Sequence, residues 1–139
     1  MLSPARFLLG CCMNKQVLKQ IKNVQVGDLL RVEWFDASTG KTAMAGPIDT
    51  PVKSWGVYLG VFGEKNKHII LAQNQFRMTD HGLYDVDYTA IPQTWTTNIH
   101  IITPHELDEN EATRLLQSFV AGHRKNHRKI AQRRVKNHV

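Results

Sequence analysis

The last seventeen residues, His123 to Val139, lack aspartate and glutamate altogether. They hold seven of the chain's eighteen Lys and Arg, so residues 1–122 keep eleven basic against twelve acidic side chains, and the formal charge of +6 belongs to the tail. A basic stretch without counter-charge on a near-neutral body points to an acidic polymer or surface as partner. Cysteine is scarce as well. The two present, Cys11 and Cys12, are adjacent, and neighbours rarely bridge each other, which excludes a disulfide framework and fits a reducing, cytoplasmic setting. No apolar run approaches the roughly eighteen residues that span a bilayer, so a membrane is not the expected partner.

What is present suffices for one folded domain. The chain has 139 residues, 42% hydrophobic and 22% charged. A domain of that size removes roughly two-thirds of its unfolded surface from water. Near the start, Leu8-Leu9-Gly10-Cys11 resembles a bacterial lipoprotein cleavage box, but the preceding apolar run is shorter than the roughly seven to fifteen residues of a leader. Residues 1–12 are therefore expected to be a disordered extension, with Met13 as an alternative natural start. Residues 13–122 form the expected domain, and 123–139 the basic tail.

Apolar Val17, Leu18 and Ile21 in Asn14–Lys22 fall at helical spacing and predict a short helix. Val26-Gly27-Asp28 is a turn into Leu29–Phe35, where Leu30, Val32 and Trp34 alternate with polar neighbours as in a half-buried strand. Ala37–Pro51, with Gly40, Gly46, Pro47 and Pro51, reads as a long loop. In Ser54–Phe62 the residues Trp55, Val57, Leu59 and Val61 share one strand face, and Gly56 and Gly60 suggest a bulge or a close backbone approach. Gly63–Lys67 turns the chain into the strand His68–Gln73; a polar loop at Arg77–Gly82 precedes Leu83–Tyr88, and Asn98–Thr103 is the fifth strand. Two helix starts compete, Thr103-Pro104-His105-Glu106 and Asp108 with Glu111. Either sets Ala112, Leu115, Leu116, Phe119 and Val120 in an apolar stripe that docks on the strands, while Gly122 ends or weakens the helix. Beyond it only Ile130, Ala131, Val135 and the last residue Val139 are apolar, and the tail is expected to project into solvent, helical in part.

The central hairpin resembles the first motif of Sm-like RNA-binding proteins. Gly56, Gly60 four residues on, Asn66 six further, and the apolar strand through Ile70 and Leu71 carry that resemblance. It implies a small barrel, an asparagine that contacts RNA at Asn66, and a homo-oligomer. The sequence departs from the motif at Phe62, where the family keeps an aspartate; two extra residues follow Asn66, and the second motif's Arg-Gly pair is missing around Asn98–Ile102. A second resemblance is to the permuted papain-like hydrolases, the NlpC and lecithin:retinol acyltransferase group, through Gly27-Asp28-Leu29-Leu30 and Ser54-Trp55-Gly56-Val57-Tyr58-Leu59-Gly60. Ser54 stands where that group has its catalytic histidine, and no cysteine follows Cys12. With neither base nor nucleophile, that kinship implies a dead site.

No catalytic, cofactor or metal site is expected. His100 with His105, and His123 with His127, lack Cys or carboxylate partners at ligand spacing. Asp85 and Asp87 read as an exposed strand face or a turn cap. Lys41, Lys53, Lys65 and Lys67 lie near Trp55 and Tyr58, a combination suited to single-stranded nucleic acid, although at least two of Trp34, Trp55 and Trp95 are expected in the core. The expected fold is α+β: a five-stranded antiparallel SH3-like or Sm-like barrel flanked by a short N-terminal and a longer C-terminal helix. The expected function is non-enzymatic nucleic-acid binding, RNA before DNA. Arg124, Lys125, Arg128, Lys129, Arg133, Arg134 and Lys136 would contact phosphates, and Lys65, Asn66 and Lys67 bases or sugars. The alternative is a protein-interaction module, including a catalytically dead papain-like relative.

Overall fold

A computed structural model describes residues 14–37, 48–77 and 82–136, with side chains through residue 123. Helix α1 spans Lys15–Lys22, and Asn14 caps it by accepting a hydrogen bond from the Gln16 amide at 3.0 Å. Lys19 and Lys22 lie in its last turn, where the helix dipole favours cations. Five strands follow: β1 (Leu29–Ala37), β2 (Asp49–Phe62), β3 (His68–Arg77), β4 (Tyr84–Pro92) and β5 (Thr96–Thr103). Every pairing is antiparallel and the order is β4-β3-β2-β1-β5. A single 3-10 turn, Gln93–Trp95, separates β4 from β5, and helix α2 (Glu109–Lys136) follows β5. The expected α+β class, five antiparallel strands and short and long flanking helices are therefore present. The outer strands are β4 and β5, and no ladder joins them among the described residues.

Each face of the sheet has its own core. On one, Leu30, Val32, Tyr58, Ile69, Leu71, Ile91 and Ile99 pack with Val17 of α1. On the other, Leu59, Ile70 and Ala72 pack with Leu115 and Phe119 of α2. Strand β2 serves both because its register with β3 shifts between Tyr58 and Gly60, where Gly60 has φ of +130°. This bulge corrects the single-face expectation: Val57 and Leu59 face α2, whereas Val61 is carried to the α1 side.

Several boundaries differ from the sequence reading. The loop expected over Ala37–Pro51 is shorter, because β1 and β2 stay paired through Phe35↔Pro51 to Ala37↔Asp49. A proline is tolerated there because β2 pairs with β3 only over Val57–Phe62, leaving the other edge of Pro51 without a strand partner among the described residues. The interior of that loop, including Lys41, lies outside the described residues, as do the 1–12 extension and part of the Arg77–Gly82 loop. Helix α2 uses the later start, with Asp108 Oδ1 accepting from the Glu111 amide at 2.8 Å. Tryptophan burial is also corrected. Trp34 packs partly buried on the α1-side core, but Trp55 and Trp95 are 52% and 43% exposed. Trp55 stands on the stretch of β2 beyond the reach of β3, and Trp95 sits in the 3-10 turn.

The turn before β1 fixes where α2 begins. Asp28 is 3% exposed, and its carboxylate accepts from the Gln25 amide (2.9 Å) and the His105 amide (2.8 Å). The Gly27 carbonyl accepts from the Leu107 amide at 3.1 Å, while Gly27 N–H and Asp28 C=O pair with Tyr58 at 3.0 and 2.9 Å. Gly27 has φ of +99°, and a Cβ there would lie 2.9 Å from the Ala112 Cβ. Helix and turn are therefore in backbone contact, which sends α2 across the sheet toward β4.

Candidate nucleic-acid interface

Two candidate segments, about sixty residues apart in sequence, meet at one groove. The turn Gly63–Lys67 is the link between β2 and β3. Lys65, Asn66 and Lys67 are exposed on it; Lys67 Nζ donates to the Gly63 carbonyl at 2.6 Å, and the Lys67 carbonyl accepts from Gln93 at 2.9 Å. His68 Nδ1 is 3.0 Å from the Asn66 carbonyl, an acceptor, so Nδ1 carries the proton. Gly63 and His68 form one side of a cleft of about 360 Å³, and Phe119, Val120 and His123 of α2 form another.

The cleft walls are mostly aromatic. The Phe119 ring lies 5.1 Å from Phe62 and 5.0 Å from Tyr88, both edge-to-face, and 4.4 Å from the His123 ring. His123 Nδ1 faces the Phe119 carbonyl at 3.2 Å and so bears a proton, which leaves Nε2 to accept from the Tyr88 hydroxyl at 3.1 Å. Phe62, where Sm-like proteins keep an aspartate, is thus used for packing on α2. On the same helix, buried Ser118 accepts from the Tyr84 amide (3.0 Å) and donates to the Arg114 carbonyl (2.8 Å), tying α2 to β4.

From His123 the α2 backbone continues helically through Gly122's successor residues to Lys136, so the basic segment and the docking stripe share one element. The side chains of Arg124, Lys125, Arg128, Lys129, Arg133, Arg134 and Lys136 lie outside the described residues. Gly122 neither ends nor interrupts the helix.

A second exposed aromatic and cationic surface lies at the far end of β2. Tyr58 is buried, where desolvation raises its pKa above 10.0, and it is no platform. Trp55 instead pairs directly with Arg31, which also pairs with His100 across β5. Lys53 approaches Glu33 at 3.5 Å, and Arg31 Nε lies 4.0 Å from the same carboxylate. The Glu33 pKa is lowered, chiefly by the Asn98 amide donating to it at 3.1 Å and then by these cations. Sequence reasoning missed Arg31 and the Phe62–Tyr88–Phe119–His123 cluster. Strand register brings Arg31 to Trp55, and helix docking assembles the cluster, and neither leaves a local pattern.

Asp85 and Asp87 stand exposed on β4, with Asn74 Nδ2 3.4 Å from Asp87. Ser54, which the papain-like resemblance would set at the base position, accepts from the Trp34 indole at 3.0 Å, and Cys11 and Cys12 lie outside the described residues. Among the described residues no three His, Cys, Asp or Glu gather as a metal site, and no helix is long and apolar enough to cross a membrane. No protein-family model, curated protein or solved structure matches the chain.

Proposed function

We propose that the chain is a non-enzymatic nucleic-acid-binding protein, with RNA preferred to DNA, built on a small SH3-like or Sm-like barrel and working in the cytoplasm. The observation that carries this reading is the convergence of the Gly63–Lys67 turn and the root of the basic helix on one aromatic groove. Phosphates along a strand would be met by the cations that follow His123 and by Lys65 and Lys67, and the aromatic groove lined by Gly63 and His123 would take a base. Fluorescence anisotropy with short single-stranded RNA, duplex RNA and duplex DNA tests it. Salt-sensitive binding that ranks single-stranded RNA first supports the reading; no binding to any of the three refutes it. A homo-oligomer is also proposed, with the outer backbone edges of β4 and β5 as the surfaces available for pairing, and sedimentation velocity reports it.

A protein-interaction module is the second reading. Exposed Phe35, Trp55 and Ile102, at 45%, 52% and 42%, favour it. Its partner would remain bound after nuclease treatment, and Trp55→Ala would release it.

A further inference from the structure

The groove between the Gly63–Lys67 turn and α2 is more than a junction. Phe62, Tyr88, Phe119 and His123 present four rings within one opening of about 360 Å³. That volume is near the low end for small-ligand clefts, with room for one ring system and not for an extended chain. Tyr88 is 41% exposed although it packs on Phe119, so an aromatic face remains open to an incoming ring. Polar groups are confined to the rim: the Tyr88 hydroxyl, His68 and His123.

We infer that this groove seats a single unstacked nucleobase of a single-stranded nucleic acid. The inference rests on the nucleic-acid reading above and names the part of the strand that this site takes. Charge favours that occupant over an apolar ligand or a peptide side chain. Seven cations follow His123 along the helix backbone with no carboxylate among them, and Lys65 and Lys67 are exposed, beside a single Glu64, on the turn whose Gly63 lines the groove. A base is an uncharged ring tethered to phosphates, so it suits an apolar slot within a cationic surround. The two rim histidines are held in defined tautomers. With Nδ1 of each facing a backbone carbonyl, each neutral ring keeps Nε2 as its acceptor, and at His123 the Tyr88 hydroxyl is the present donor to it. An exocyclic amino group on the base could replace that donor.

The test compares a 12-nucleotide single-stranded RNA with an abasic ribose-phosphate strand of the same length and charge, at one salt concentration, on the full chain. Base seating predicts that the RNA binds about five- to hundredfold tighter than the abasic strand. Tyr88→Ala should abolish that preference. Ala90→Leu, which fills the groove from β4 without removing a core side chain, should do the same and guards against misfolding of the first variant. Equal binding of both strands by the unaltered protein overturns base seating while the nucleic-acid reading stands. Binding of neither strand overturns both. A preference retained by Ala90→Leu places the base elsewhere and overturns the inference.

Discussion

Replacing Asp28 with alanine should damage this fold more than any exposed charge substitution. The carboxylate is buried and accepts two backbone N–H groups, from Gln25 at 2.9 Å and His105 at 2.8 Å. Hydrogen bonds to a charged acceptor are worth about 1.5–3 kcal/mol each, and a buried donor left without a partner costs about 1–3 kcal/mol. Water that enters the space would recover part of this. Asp28→Ala should therefore destabilise by about 3–5 kcal/mol, a large share of the roughly 5–15 kcal/mol of an ordinary domain. His105 makes the result specific, because its φ of +51° is held in a region unfavourable to non-glycine residues. Without the carboxylate that strain loses its restraint and the start of α2 loosens. Asp28→Asn keeps one carbonyl oxygen but presents an amide donor to the second N–H, so its loss should be intermediate. Urea denaturation of the three proteins, analysed at equal slope, measures the difference. A loss below about 1 kcal/mol for Asp28→Ala would refute the assignment of this turn as the clasp between β1, β2 and α2.

Other perturbations have defined outcomes. Gly27→Ala combines a φ of +99° with a Cβ 2.9 Å from the Ala112 Cβ, and should lower the denaturation midpoint by an amount equivalent to about 1–3 kcal/mol. Phe119→Ala removes a buried ring from the α2-side core and should cost about 3–5 kcal/mol in the same assay. Burial raises the Tyr58 pKa above 10.0, so the stability it supports is complete below that value and is lost as pH rises through the folded-state value; Tyr58→Phe should flatten this alkaline limb. Glu33 acts in the opposite direction. Its lowered pKa gives a contribution present above 4.5 and lost as pH falls through the folded-state value, and Asn98→Ala, which removes the largest cause, should reduce that acid dependence in thermal melts.

The elements whose apolar residues recur locally were legible in the sequence. Helix α1, the alternation in β1, the turn at Gly63–Lys67 and the α2 stripe from Ala112 to Val120 all follow from spacing within single segments. What escaped depends on pairing. The bulge at Gly60 divides β2 between two cores, and glycine spacing hinted at a bulge without locating its effect on Val61. Trp55 is exposed because β3 leaves β2 after Val57↔Ala72, a register that no composition rule supplies. The candidate groove was half visible. Lys65, Lys67 and the basic tail stood out as charge and Asn66 through the Sm-like motif, whereas the sequence gives no sign that Phe62, Tyr88, Phe119 and His123 lie together, which follows only once α2 crosses β4.

The most direct test of nucleic-acid binding through the basic helix is the salt dependence of single-stranded RNA affinity. The natural chain is compared with one in which Arg124, Lys125, Arg128, Lys129, Arg133, Arg134 and Lys136 are all changed to Gln. At about 0.7 per neutralised phosphate, seven contacts give a log–log slope near −5. The account predicts a slope approaching that value for the natural chain and a shallow one for the variant. Equal slopes for the two proteins would contradict it.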